Sequence, residues 1–189
     1  MKPLLFLILF LPALATNAQT ETQIRTHYQE INKKITESKE QGYEGSLYCN
    51  ELVVNKNGKS WPAVGNYSET IEFWYSNNPN HPSVTQNKLQ VLQKINVVRK
   101  AAALTTHEEY LYKDGKLVFF YSAEGEDGNL WETRLYFNTK GMFKSSVKAN
   151  GKELTEKDFL TEEYKDFKPK SIAVLKKARE YQELFVKSI

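Results

Sequence analysis

From residue 47 to residue 148 the apolar side chains recur largely at every second position, which restricts more than half of the chain to β-strands. The clearest stretch sets Tyr67, Ile71, Phe73 and Tyr75 against Ser68, Thr70, Glu72 and Trp74. In a strand, successive side chains point to opposite faces, so such alternation buries one face and leaves the other more polar. A second stretch groups Leu89, Val91, Ile95 and Val97 on one face, with Lys88, Gln90, Lys94 and Asn96 largely opposite. Leu92 and Val98 interrupt that pattern and leave a helix open, but the β-branched residues favour a strand.

Four further strand runs follow, over residues 105–113, 116–123, 130–138 and 142–148. Asp114-Gly115 separates the first pair and Lys140-Gly141 the last. Asp-Gly between apolar runs signals a tight hairpin, because the turn requires positive φ at its centre. Asn57-Gly58 and Asn150-Gly151 mark two more turns. The acidic stretch Glu124-Gly125-Glu126-Asp127-Gly128-Asn129 lacks the ligand spacing of a calcium loop and reads as a charged turn between strands. The segments around Asp114-Gly115 and Lys140-Gly141 resemble each other faintly, as consecutive hairpins of an ordinary meander do.

The flanks are helical. Ile24, Tyr28, Ile31 and Ile35 are spaced by four, three and four, on one face of a helix. Thr20 and Gln23 stand at capping-box spacing before it, and Gly42 and Gly45 follow it. Near the C-terminus, Thr155 and Asp158 suggest the cap of a short helix reaching about Glu163. Pro169 opens a longer one with Ile172, Val174, Leu175, Ala178, Tyr181 and Phe185 as its apolar stripe. Strands bracketed by helices predict an α+β fold. The expected architecture is an N-terminal helix, an antiparallel meander of about six or seven strands, and C-terminal helices packed on one face. No long linker interrupts residues 19–189, which are read as one domain.

Before this domain, Met1-Lys2-Pro3 leads into an apolar run from Leu4 to Leu11, Pro12, and a small-residue stretch from Ala13 to Ala18. One positive charge, a short apolar core and an Ala-rich exit have the form of a cleavable secretory signal over residues 1–18. The run is too short for a membrane span, which takes roughly 20 apolar residues. The expected location is therefore secreted or periplasmic. Cys49 is the only cysteine, so no intrachain disulfide is possible, and its apolar neighbours Leu47 and Tyr48 suggest a buried thiol.

Lys and Arg outnumber Asp and Glu by 26 to 23, too mild an excess for a nucleic-acid partner. The arginines are few: Arg25, Arg99, Arg134 and Arg179. Arg recognises anions with a planar fork of donors, whereas surface Lys mostly serves solubility. Of the histidines, His27 lies in the first helix, His81 in a Pro/Asn-rich loop, and His107 in a strand beside Glu109. None stands in a zinc-protease pattern, and no nucleophile elbow or phosphate-cradling loop is present. No cofactor or metal is implied. What remains is an aromatic-rich sheet carrying charges. Glu132, Arg134 and Tyr136 share one strand face, and with Trp74 and Trp131 they form the candidate ligand-binding set. These features favour a non-enzymatic binding protein for a small molecule, glycan or protein partner. The alternative is a hydrolase using sheet carboxylates such as Glu69, Glu72, Glu109 and Glu132.

Intact-mass analysis of the exported protein is expected to show a chain that begins at Gln19. A membrane-embedded chain retaining Met1 would contradict this reading.

Overall fold

The computed structural model describes residues 19–77, 80, 89–126 and 128–189. The sequence-predicted signal, His81, Lys88 and Asp127 lie outside them. The chain opens with helix α1 (Glu21–Gln41) and continues through β1 (Tyr48–Val54), β2 (Ser60–Trp61), β3 (Gly65–Asn77), β4 (Gln90–Ala101) and β5 (Leu104–Lys113). There follow β6 (Lys116–Glu126), β7 (Asn129–Asn138), β8 (Gly141–Ala149), β9 (Lys152–Glu153) and helix α2 (Ser171–Lys187). All pairings are antiparallel, in the order β1-β3-β4-β5-β6-β7-β8-β9, with β2 also on β3. The fold is α+β, as expected. Nine strands are described rather than six or seven, because the pairs Ser60–Trp61 and Lys152–Glu153 are too short to leave a periodic signal.

The turns form where their chemistry requires. Asp114 and Gly115 both adopt positive φ, at 51° and 74°, as a two-residue hairpin demands. Gly45 is needed for a different reason: a Cβ there would lie 2.6 Å from the Ser38 backbone, where the chain folds back under α1. Three residues break the ladder register, Gln93 in β4, Val118 in β6 and Phe143 in β8. The extra residue at Gln93 explains the blurred pattern of β4. It sets Leu92 on the core face of Ile95 and Val97, and turns Val91 to the other face. Leu89 precedes the strand and is exposed.

Each face of the sheet carries one helix. On one, Ala178, Tyr181 and Phe185 of α2 pack on Phe73, Ile95, Tyr110, Tyr112, Leu135 and Phe137. The stripe expected of α2 is narrower than the sequence suggests, since Ile172 in its first turn is 84% exposed. Pro169 lies just before the helix, and the segment expected as a short helix forms a 3-10 turn, Asp158–Leu160, with a second, Lys165–Phe167, following it. There Asp158 accepts hydrogen bonds from both the amide and the hydroxyl of Thr155, at 2.8 and 2.7 Å.

Helix α1 lies on the opposite face, and its capping box forms as read: the Thr20 amide donates to Gln23 Oε1 at 2.9 Å and the Gln23 amide to Thr20 Oγ1 at 3.3 Å. Register pairing carries one row of side chains across seven strands: Cys49, Trp74, Lys94, Leu111, Phe119, Tyr136 and Lys144. Helix α1 runs along this row. Its Glu21 meets Lys144 at 2.6 Å at one end, and its Lys39 sits 5.2 Å over the Trp74 ring at the other. Tyr112 engages both helices, its hydroxyl donating to Ala178 O at 3.1 Å and its carbonyl lying 3.0 Å from His27 Nε2.

The third member of that row is a charge. Lys94 is 2% exposed beneath α1, and its ammonium donates to Asn32 Oδ1 at 2.6 Å and pairs with Glu109 at 2.9 Å. It also lies 4.7 Å from the centre of the Tyr28 ring, whose hydroxyl donates to the same Glu109 oxygen at 2.7 Å. Desolvation draws the Lys94 pKa below its ordinary value, against the pull of Glu109. Replacing Lys94 with Met strands a half-shielded carboxylate. The variant is expected to lose roughly 3 kcal/mol, the low end for a broken buried pair, measured by urea unfolding. A loss within about 0.5 kcal/mol, the surface range, would show that the pair contributes nothing net.

Candidate functional site

Beside the row under α1 runs a parallel row of polar side chains: Glu51, Glu72, Asn96, Glu109, Tyr121, Arg134 and Ser146. It follows one flank of the helix. Where β6 and β7 pass beneath the first turns of α1, the two rows and the helix enclose a cleft of about 360 Å³. Phe119, Tyr121, Arg134 and Tyr136 form its sheet side, and Ile24, Arg25, Tyr28 and Gln29 its helix side. Such a volume is at the small end of ligand pockets, which run from about 300 to 1,000 Å³. A second hollow of about 420 Å³ shares Arg25, Arg134 and Tyr136 and continues onto β8 and β9, past Lys144, Ser146, Lys148 and Glu153.

The two guanidinium groups lie over aromatic rings. Arg134 lies 4.9 Å from the centre of Tyr121, and Arg25 lies 5.9 Å from that of Tyr136. Arg134 donates to Glu132 at 2.9 Å through one nitrogen, and the Tyr121 hydroxyl donates to the same oxygen at 2.8 Å. That hydroxyl, and then Arg134, hold the Glu132 carboxyl below its usual range despite some desolvation. Desolvation and Glu132 push the Tyr121 phenol up to about 12. Arg25 donates to Glu21 at 2.9 Å, and Tyr28 is fixed from behind by Glu109 and Lys94. The walls of the cleft are therefore held by ion pairs and hydrogen bonds before any ligand arrives.

Of the five sequence-derived candidates, Arg134 and Tyr136 line the cleft, and Glu132 orients Arg134. Trp74 lies on the same face but under the far end of α1, its indole N–H donating to Glu72 at 3.0 Å. Trp131 points to the other face, where it stacks on Phe167 at 5.5 Å beside the C-terminal turns. The strand period already separates Trp131 from Glu132. The helix contribution, Arg25, Tyr28 and Gln29, was not legible, because nothing in the sequence says which strands α1 crosses. Cys49 is a correction: it is exposed, since it ends the row on edge strand β1 with no strand beyond it. Partial desolvation, with Glu72, still raises the thiol to about 12, so it is a poor nucleophile.

The carboxylates named for a hydrolase are all engaged. Glu69 bonds to Tyr67 and Tyr181 and pairs with Arg99 at 3.5 Å beneath α2. Glu72 bonds to Trp74, Asn96 and Lys39. Glu109, which shares a strand face with His107, turns instead to Tyr28 and Lys94. Among the described residues no three His, Cys, Asp or Glu side chains are grouped to hold a metal ion. No helix among them is long and apolar enough to cross a membrane.

Burial alone would raise Glu69 and Glu72, but their hydrogen bonds and cations outweigh it, so both sit below the usual carboxylate value, as does Glu132. The unfolded chain then takes up these protons first as the pH falls. Their stabilisation is complete above about pH 4.5 and is lost as the pH drops through the lower folded-state values. Thermal unfolding between pH 7 and pH 2.5 is expected to show a falling Tm that begins near that point. A Tm that holds level to pH 3 would contradict the assignment.

Comparison with family models, curated proteins and solved structures yields no match for this chain, so its functional reading rests on the geometry of the cleft.

Proposed function

We propose that this chain is an exported, non-enzymatic binding protein whose ligand occupies the cleft between α1 and strands β6 and β7. The observation that carries the reading is the pair of arginines, Arg25 and Arg134, set over tyrosine rings in the lining of a preformed hollow. Preorganised walls lower the cost of ordering side chains on binding, and a few fixed polar groups in a largely aromatic pocket are what ligand sites use for orientation. Export rests on the signal-like residues 1–18.

The state of three of the carboxylates argues against them as the general acid that a hydrolase would need. A general acid must stay protonated near neutral pH, and Glu69, Glu72 and Glu132 are all shifted the opposite way.

Arg134 is the side chain to remove. Its pair with Glu132 is partly exposed, 29% and 19% for the two side chains, so Arg134→Ala is expected to lose no more than about 1 kcal/mol of stability. A library of small molecules, glycans and short peptides, screened by ligand-observed NMR against wild type and variant, is expected to give hits that weaken at least about tenfold in the variant. Hits that bind both proteins equally would move the site elsewhere, and a large loss of stability would make the pair structural.

A further inference from the structure

We infer that the ligand of this cleft is an organic anion with a flat apolar body, its charged end directed toward β8; this rests on the binding reading above. The cleft and the adjoining hollow share Arg25, Arg134 and Tyr136, so they form one site with two chemically different ends. At the inner end the walls are rings: Tyr28 meets Phe119 edge-on at 5.4 Å, and Phe119 meets Tyr136 at 5.0 Å. Together with Tyr121 these rings line the cleft, and a planar apolar group can meet them in the offset and edge-to-face contacts that aromatic rings prefer.

The outer end is cationic. Arg25, Arg134, Lys144 and Lys148 face it, against Glu153 of the same lining and the two carboxylates that hold the cations, Glu21 and Glu132. Glu132 occupies one nitrogen of Arg134, which leaves the rest of that guanidinium's donor fork for a ligand oxygen pair. Lys148 stands directly across from Glu132 in the strand register, so a ligand anion on Arg134 also lies within the field of a second cation. A neutral ligand would leave these donors unused, and a cationic one would meet like charge at both arginines.

Three probes of one shape separate the possibilities: 2-naphthoate, 2-naphthylmethanol and 2-naphthylmethylammonium, each titrated into the full folded chain and followed by amide NMR shifts. Naphthoate is expected to bind at least about tenfold more tightly than the alcohol and to shift residues around Tyr28, Tyr121 and Arg134. Its advantage is expected to shrink as salt is raised. Arg134→Ala and Lys148→Ala are expected to remove much of that advantage; the Lys148 change keeps the test open if loss of Arg134 disturbs the fold. Alcohol binding as tight as naphthoate, or tighter binding of the ammonium probe, at these residues would overturn the anion inference and leave the binding cleft standing. If no probe shifts the cleft while other library compounds do, the ligand class is wrong. Silence from every probe and every library compound would overturn the binding cleft as well.

Discussion

A lysine ammonium beneath a helix must find compensation, because removing it from water costs several kcal/mol. Lys94 finds it in Asn32 and Glu109 and in the face of the Tyr28 ring. Two of those partners belong to α1 and the third to β5, so the same charge that is costly to bury also sets where the helix lies on the sheet. Moving α1 along the row by one turn would put Tyr28 or Thr36 where Asn32 stands and take the side-chain carbonyl of Asn32 from the ammonium. The position of Tyr28, and with it one wall of the cleft, follows from this requirement.

The other face repeats the arrangement with different residues. Arg99 lies between Glu69 and Glu108, and Tyr181 of α2 donates to Glu69 and accepts from Arg99. Each helix therefore carries an apolar stripe that supplies most of the burial and a polar contact that selects its register. Burial is nondirectional and tolerates sliding; a hydrogen-bonded charge does not. Both networks lie on strands β3 to β5, and the cleft opens beside one of them, where the α1 face turns from apolar to polar.

Most of the strand pattern could be read from the residues because it is local. Asp114-Gly115 and Asn150-Gly151 form turns through their own backbone preferences, and Thr20 and Gln23 close a capping box across one helical turn. What escaped depends on neighbours distant in sequence. Gln93 gives no sign that it is an extra residue, yet it decides which face Leu92 occupies. Lys94 reads as solvent-facing until α1 is placed over it. Cys49 sits among apolar residues but at a sheet edge, and Ile172 fits an apolar stripe whose first turn extends past the sheet. The candidate site divides in the same way: Arg134 and Tyr136 came from the period of one strand, whereas Arg25 and Tyr28 required knowledge of which strands the helix crosses.

Every strand after β3 pairs with the one just before it, so the sheet can assemble hairpin by hairpin as the chain is made. Helix α1 is the exception. It comes first in the described chain, yet its partners run from Trp74 on β3 to Lys144 on β8, and Glu21 meets Lys144 across 123 residues. Until β8 exists, the isoleucine stripe of α1 and the ammonium of Lys94 have only part of their shared environment. The last clasp of the fold therefore waits for nearly the whole chain to emerge, and until then the molecule stays open along one face.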